Sequence, residues 1–296
     1  MPPDRSATRS GTSWAPVTAA ALVLAAGLTA VGAPPQPKPR FIVGEKVATG
    51  ARITPTAAPD STFETLDPGI AADPSIRANQ GVTTVTSPDG RTLLVLTSGY
   101  NYWDLPGGIF TYDEFVFVYD ISGGRPVKTQ VLRIPYSFMG IAFAPSGQQF
   151  YVAGGLDDAV RVFARGGSTW AESGEPIALG HPGTGLGLDT GPLAGGLAVT
   201  RNGRRLVVAN VENDSVSLVD LEQRREIAER DLRPGKNDPA KAGVPGGDFP
   251  LWVAIKGETK AYVSSMRGRE IVVLDLTGDQ LRITNRIGVS GTPRSA

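Results

Sequence analysis

The chain offers few side chains that are suited to catalysis. It has a single histidine, His181, and no cysteine among its 296 residues, which excludes disulfides, thiolate metal ligands, a cysteine nucleophile and a lipidated cysteine. A histidine can act as a general base or as a ligand. His181 stands between Gly180 and Pro182, a setting more typical of a solvent-facing loop residue. We therefore assign no catalytic residue.

Two acidic pairs, Asp157-Asp158 and Asn213-Asp214, could supply oxygen ligands to calcium. Neither has the spacing of a dedicated calcium loop. Asp and Asn also hydrogen-bond their own backbone in turns, so we interpret both pairs as turn formers and predict no metal site. The glycine-rich segment 183–187 lacks the Lys-Ser/Thr pair of a phosphate-binding loop, and we predict no cofactor.

The segment 100–104 contains three aromatic and two polar residues. Such a composition suits stacking on a sugar, on a cell-envelope fragment or on a partner protein; packing between structural units is the alternative. We predict ligand contacts at this segment and at two other loop positions, the candidates being Tyr100, Asn101, Tyr102, Trp103, His181 and Asp248.

These candidates lie in the links between the strands of a sequence pattern that occurs four times. Its tight turns lie at Ser87–Gly90, Ala144–Gly147, Thr200–Gly203 and Ile255–Glu258, and their glycines, at 90, 147, 203 and 257, recur every 54 to 57 residues. A fixed period of this length marks a repeat architecture.

The third copy shows the unit most clearly. Strands are predicted at 196–200, 205–210, 215–220 and 226–232, and alternation in the third strand puts Val216 and Leu218 on one face and Ser217 and Val219 on the other. A four-stranded unit cannot bury its own face and must stack on its neighbours. The sequence predicts an all-β fold, a β-propeller of four-stranded blades with about four blades present as an open, incomplete ring.

The segments Phe150 to Phe163, Leu206 to Asp220 and Ala261 to Asp275 resemble the YVTN-repeat propellers of secreted bacterial proteins, which are related to lactonase-like and surface-layer propellers. The resemblance covers roughly residues 63–293. A narrower likeness, at 49–56 and 87–101, is to the amino-terminal propeller of bacterial proteins in which a phosphoesterase of the alkaline-phosphatase type follows. Because such propellers commonly close with about seven blades, the resemblance implies a carboxy-terminally incomplete propeller, with a catalytic domain as a possible partner in a longer parent protein.

The amino terminus has the pattern of an export signal. Arg5 and Arg9 precede the small and apolar residues 15–33, which predicts a signal peptide at 1–33, a proline-rich linker and extension at 34–62, and the propeller at 63–296. The expected location is secreted or periplasmic; an uncleaved membrane anchor is the alternative. With 29 basic and 29 acidic residues and no basic run, the chain is expected to bind no nucleic acid, and no membrane after signal cleavage.

The positions of the longest links between strands predict which face of the propeller is functional. In a propeller blade, the links between strands two and three and the links between blades lie on the same face, and the long segments 98–114, 180–196 and 233–250 all belong to these two sets. We predict a non-catalytic scaffold that binds an unknown small-molecule, cell-envelope or protein ligand at that face. The alternative is the propeller portion of a hydrolase, either a phosphoesterase fusion or a lactonase-like enzyme, with catalytic residues mainly in a missing carboxy-terminal part.

Overall fold

The computed structural model describes residues 64–70, 76–78, 80–98, 103–105, 109–111, 113–181 and 192–290, with the backbone alone for 103–105 and 109–111. The described chain is almost entirely β-structure. It forms four antiparallel sheets of four or five strands in chain order, which are the blades of a four-bladed arc, and one separate two-stranded sheet. The predicted signal peptide and linker lie outside the described residues, as does the end of the chain after residue 290. No helix among the described residues is long and apolar enough to cross a membrane.

Each blade is a meander of consecutive strands. The first contains β1 (Gly81–Thr86), β2 (Thr92–Thr97), β5 (Asp113–Asp120) and β6 (Val127–Pro135), with a separate hairpin of β3 (Trp103–Leu105) and β4 (Ile109–Thr111) inserted between β2 and β5. The second contains β7 (Ile141–Phe143), β8 (Gln149–Ala153), β9 (Ala159–Gly166), β10 (Thr169–Glu172) and β11 (Ile177–Ala178). The third contains β12 (Ala194–Val199), β13 (Arg205–Asn210), β14 (Ser215–Asp220) and β15 (Arg225–Asp231). The fourth contains β16 (Pro250–Lys256), β17 (Lys260–Ser265), β18 (Glu270–Asp275) and β19 (Arg282–Gly288).

The four units repeat in detail. In the first three blades the turn glycine donates its N–H to a carbonyl three residues earlier, from Gly90 to Ser87, from Gly147 to Ala144 and from Gly203 to Thr200, each at 2.9 Å. These glycines and Gly257 have φ between 66° and 73°, a conformation that glycine adopts at little cost. The repeat inferred from the turns is therefore confirmed.

Within the described part of the chain, four apolar cores hold the arc together, and three of them lie between consecutive blades. The alternation predicted for β14 is confirmed, because Val216 and Leu218 pack with the fourth blade while Val219 packs with the second. Apolar strand residues of all four blades are buried or packed against a core, among them Leu94, Val118, Phe143, Val152, Val162, Leu197, Val207, Leu218, Val253, Val263 and Val273.

The outer edge of the second blade departs from the expected single strand. Both β10 and β11 pair with β9, at its two ends, and residues 173–176 bulge out between them. Arg224 of the third blade donates to the carbonyls of Ser173 and Glu175 at 2.9 and 2.6 Å. The break in the strand is thus fixed by a side chain of the neighbouring blade.

The arc has two different ends. The outward face of the first blade is covered by the segment before β1, where Leu66, Ile70 and Ala78 pack on Phe115 and Phe117. Residues 64–70 form no strand, so this part of the covering segment is irregular chain. Among the described residues, the first and fourth blades share no contact comparable to those between consecutive blades.

Candidate functional site

One face of the arc is built from the links between strands two and three and from the links between blades; we call it the insertion face. Contacts between the two kinds of link confirm that they adjoin. The carboxylate of Asp158, after β8, accepts the N–H of His181 at 2.6 Å, and that of Asp214, after β13, accepts the N–H of Phe249 at 2.8 Å. The connection parity inferred from the sequence is therefore confirmed at the second and third junctions between blades.

Asp158 and Asp214 occupy the same repeat position. Both have left-handed backbones, with φ of 49° and 51°, and the carbonyl of each accepts an N–H from the residue that follows the outer strand, Leu179 and Leu232, at 2.9 and 2.8 Å. Both aspartates are therefore turn formers, as interpreted from the sequence. Among the described residues, no cluster of acidic and histidine side chains has the geometry of a metal site.

His181 lies in a buried charged cluster between the second and third blades. Its imidazole is only 4% exposed. Nδ1 lies 2.8 Å from Asp158 Oδ1, and Nε2 lies 2.9 Å from Oε1 of Glu229 on β15. The expectation of a solvent-facing loop histidine is wrong, because two carboxylates from neighbouring blades hold the ring inside.

Polar side chains of the third blade complete this cluster. Asn213 Nδ2 donates to Glu229 at 2.9 Å, and Asn210 Nδ2 donates to the hydroxyls of Ser215 and Ser217 at 3.0 and 2.8 Å. Glu226 Oε1 is buried without a hydrogen-bond partner among the described residues. We call the set Asp158, His181, Asn210, Asn213, Ser215, Ser217, Glu226 and Glu229 the His181 cluster.

The electrostatics of the cluster fix its protonation. Burial disfavours the imidazolium, but hydrogen bonds and charges from Asp158 and Glu229 outweigh that cost and raise the pKa of His181 to about 10. Burial also disfavours the Glu229 carboxylate, yet its hydrogen bonds with His181 and Ser215 hold its pKa below the usual value. At neutral pH His181 is a cation with a carboxylate oxygen within 2.9 Å of each ring nitrogen, although the Nε2 contact lacks hydrogen-bond geometry, and the protonated ring has no lone pair with which to accept a proton.

Glu226 behaves differently from its neighbours. Burial raises its pKa to about 7, the charge of Glu229 adds to that effect, and the Ser217 hydroxyl and His181 oppose it. Among His181, Glu226 and Glu229, it is the only group whose pKa is brought near neutral pH.

The insertion between the third and fourth blades builds the cleft on this face. It contains the one-turn helix α1 (Pro234–Asn237) and a 3-10 turn at Pro239–Lys241. The insertion borders an open cleft of about 370 Å³ that is lined by two cations, one carboxylate, glycine backbone and small apolar side chains: Arg233, Gly235, Lys236, Ala242, Gly243, Val244, Gly246 and Asp248. We call it the α1 cleft.

Ion pairs hold the inner wall of the α1 cleft in place. Arg233 donates to both carboxylate oxygens of Asp231, at 3.0 and 2.5 Å, and its Nη1 lies 3.9 Å from Asp214. The half-buried Asp248 accepts an N–H from Gly246, and its carbonyl accepts the Ser265 hydroxyl at 2.7 Å. Lys236 and Val244 are exposed at the rim.

The structure separates the predicted contact residues. Asp248 lines the α1 cleft, whereas His181 is buried in its own cluster. Tyr100, Asn101 and Tyr102 lie outside the described residues, and Trp103 is described only as backbone of β3. Sequence reasoning missed Glu226, Glu229 and Arg233. The pattern of charges within an outer strand, Glu226-Ile227-Ala228-Glu229, was the available signal that part of this strand faces a polar partner.

Comparisons with known proteins support the fold. No protein-family model and no curated protein matches the chain. Solved structures do, among them a putative 6-phosphogluconolactonase from Bacteroides uniformis, with 15% identity, a TM-score of 0.54 and coverage of 84% of this chain and 64% of that one. Another is a protein from Lactobacillus plantarum, with 16% identity, a TM-score of 0.54 and coverage of 85% and 65%.

A putative 6-phosphogluconolactonase from Bacteroides fragilis is similar at 12% identity and a TM-score of 0.53, with coverage of 84% of this chain and 65% of that one. The chain thus spans less than two thirds of the length of these structures. At such identities the likeness shows a propeller fold of the kind found in lactonase-like proteins and nothing about chemistry.

Proposed function

We propose that this chain is a non-catalytic propeller scaffold of a secreted or periplasmic protein, and that it binds a small anionic polyol at the α1 cleft. The observation that carries the proposal is the cleft of about 370 Å³ with Arg233, Lys236 and Asp248 on its walls. Cations attract a phosphate or carboxylate, while Asp248 and the glycine backbone can bond to hydroxyls. The substrate class named for two of the neighbouring structures, a phosphorylated sugar acid or its lactone, has this chemistry.

The state of the only histidine supports a non-catalytic role. General-base catalysis by His181 would need a neutral ring at neutral pH, whereas its pKa of about 10 and its two carboxylate contacts keep it charged. The histidine therefore contributes to the junction between two blades and not to a reaction.

Binding can be tested with 6-phosphogluconate by isothermal titration calorimetry. Wild type should bind, and Lys236→Ala and Asp248→Ala should each weaken binding by about tenfold, the loss expected for one charged hydrogen bond. Lys241→Ala is the matched control, since Lys241 is an exposed lysine of the same insertion that pairs with Asp238 at 3.6 Å and does not line the cleft. No binding by wild type, or an equal loss in the control, would contradict the proposal.

Glu226 favours one alternative, a lactonase-like hydrolase. A buried carboxyl group with a pKa of about 7 is suited to general acid–base chemistry. This alternative requires the chain to hydrolyse 6-phosphogluconolactone faster than buffer does and requires Glu226→Gln to abolish the excess rate. The absence of any excess rate in wild type would leave the scaffold as the better explanation.

A further inference from the structure

One position of the repeat is apolar in the first, third and fourth blades and charged in the second. At the end of the third strand, each blade has a residue whose N–H bonds to the carbonyl just before the second strand: Ile121 to Arg91, Arg165 to Gln148, Leu221 to Arg204 and Leu276 to Thr259, at 2.8 to 2.9 Å. Ile121, Leu221 and Leu276 pack against apolar cores on the side of the preceding unit. In the second blade this position holds Arg165.

The presence of Arg165 in place of an apolar residue coincides with a cleft between the first and second blades. A guanidinium cannot fill an apolar junction without a buried partner, and at this junction a cleft of about 320 Å³ opens beside Arg165. The first blade contributes Asp89, Arg91, Thr92, Val118, Tyr119, Asp120 and Thr129, and the second contributes Arg165, Ser168 and Trp170. We call it the Arg165 cleft. It is formed by the turns that join strands one and two and strands three and four, on the face opposite the insertion face.

The wall behind Arg165 is fixed. Gln130 of β6 exchanges two hydrogen bonds with the backbone of Trp170, at 2.7 and 2.8 Å, and the Trp170 side chain is buried. The Arg165 guanidinium carbon lies 5.8 Å from the centre of the Trp170 ring, within the range of a cation–π contact. Arg165 is thereby oriented, although it is solvent exposed.

The two arginines of the cleft retain unused donors. Arg165 uses its Nε to bond the Gly167 carbonyl at 3.2 Å, and within the described chain neither Arg165 nor Arg91 forms an ion pair. The nearby carboxylates of Asp89 and Asp120 are each engaged by their own turns, with Ser87 and Ser122, and those hydrogen bonds lower the pKa of both. Both aspartates are ionised at neutral pH and keep further acceptor capacity.

From this arrangement we propose that the Arg165 cleft is a second ligand site, distinct from the α1 cleft, and that it takes a small hydroxylated carboxylate. A carboxylate accepts parallel hydrogen bonds from a guanidinium, so Arg91 and Arg165 bind the anionic end. Asp89, Asp120, Thr129 and Ser168 bond to the hydroxyl groups. The two aspartates also disfavour ligands of high negative charge, because the net charge of the four ionised side chains is close to zero.

The variant that tests the site gives the second blade the apolar residue that the other blades have at this position. Arg165→Leu introduces the residue found at this position in two other blades, and it should fold because an apolar side chain suits the junction. We expect D-gluconate to bind wild type, and Arg165→Leu and Arg91→Ala each to weaken it by about tenfold or more. D-glucose, which has hydroxyls but no carboxylate, should not bind.

Arg204→Ala is the matched control. Arg204 is exposed and occupies the Arg91 position in the third blade, where Leu221 packs against the junction. It should leave gluconate affinity unchanged. The proposal is overturned if wild type binds no gluconate up to about 10 mM, if Arg165→Leu binds as well as wild type, or if Arg204→Ala loses as much affinity as Arg91→Ala.

Discussion

At the residue scale, the most unusual feature is the placement of His181 between Asp158 and Glu229 at the junction of two blades. A buried ion pair adds little net stability when it is compared with apolar packing, but the loss of one partner leaves a costly unpaired charge. The side chains of the His181 cluster therefore depend on one another.

His181→Ala should lower the free energy of unfolding by about 3 kcal/mol, because Asp158 and Glu229 would remain buried without their cation. Urea unfolding at pH 6.5 measures the loss. Arg282→Ala, which removes the exposed ion pair with Asp275, is the control and should change the midpoint little. An effect of His181→Ala no larger than that of the control would mean that the cluster contributes nothing to stability.

The same histidine predicts a pH dependence. Its folded pKa of about 10 lies above the ordinary value of 6.5, so its stabilisation is complete below about pH 6.5 and is lost as the pH rises through the folded pKa. The difference in stability between wild type and His181→Ala should therefore shrink between pH 6.5 and 10. A constant difference over this range would show that the imidazole is not held as a cation.

Glu226 predicts a pH dependence of the same sign at lower pH, carried by a neutral group instead of a cation. Its pKa is raised from 4.5 to about 7, so the protonated carboxyl stabilises the fold below its unfolded pKa, and this contribution is lost as the pH rises through 7. Glu226→Gln stays neutral and should be more stable than wild type at pH 8 but similar at pH 5, as measured by thermal unfolding. Glu222→Gln, at an exposed position of the turn before β15, is the control and should change stability little, and a Glu226→Gln protein that is less stable at both pH values would refute the assignment.

At the element scale, the innermost strands of neighbouring blades come close together at glycine positions. A Cβ on Gly196 of β12 would lie 2.6 Å from the Leu251 carbonyl oxygen and 2.7 Å from the Trp252 Cα, and one on Gly140 would lie 2.1 Å from the Gly195 carbonyl oxygen. Both obstacles are backbone, which cannot move without disturbing the neighbouring blade. Glycine at these positions sets the spacing of the blades.

Gly196→Ala should therefore destabilise the protein by about 2 kcal/mol, the range of an overpacked core. Gly166→Ala is the matched control, since a Cβ at Gly166 meets nothing within 4 Å. Chemical denaturation of the two variants gives the comparison. Equal stability of the two would show that the inner strands can separate without cost.

The elements that sequence reasoning could predict are those with local causes. The turn at Thr200–Gly203 and the alternation of β14 follow from residue types alone, and both are observed. The burial of His181 could not be predicted, because Asp158 and Glu229 lie 23 and 48 positions away and meet it only once the blades pack. The departure of Arg165 from an otherwise apolar repeat position is likewise visible only when the repeats are aligned through their backbone hydrogen bonds.

At the scale of the whole molecule, the two ends of the arc differ in how much apolar surface they leave open. The first blade has Leu66, Ile70 and Ala78 packed on its outward face. The corresponding face of the fourth blade belongs to none of the four described cores. Its side chains are mostly half-buried or exposed and run across paired positions of the sheet: Trp252, Tyr262, Ile271, Val273 and Ile287.

This face has the character of a blade surface that packs on another blade. Its positions Ile271 and Val273 correspond in register to Val216 and Leu218 of the third blade, which are fully covered by the fourth.

A contiguous apolar face of this kind is typical of an interaction surface, so we expect the 296-residue chain to self-associate. Sedimentation velocity over a concentration series should show a rising mean mass, and Ile287→Lys should suppress it, because Ile287 is 45% exposed within the face. Val127→Lys is the control, since Val127 is 60% exposed on β6 of the first blade and its replacement should leave association unchanged. A wild-type chain that stays monomeric at all concentrations and unfolds in one cooperative step would show that the fourth blade is already sufficiently covered.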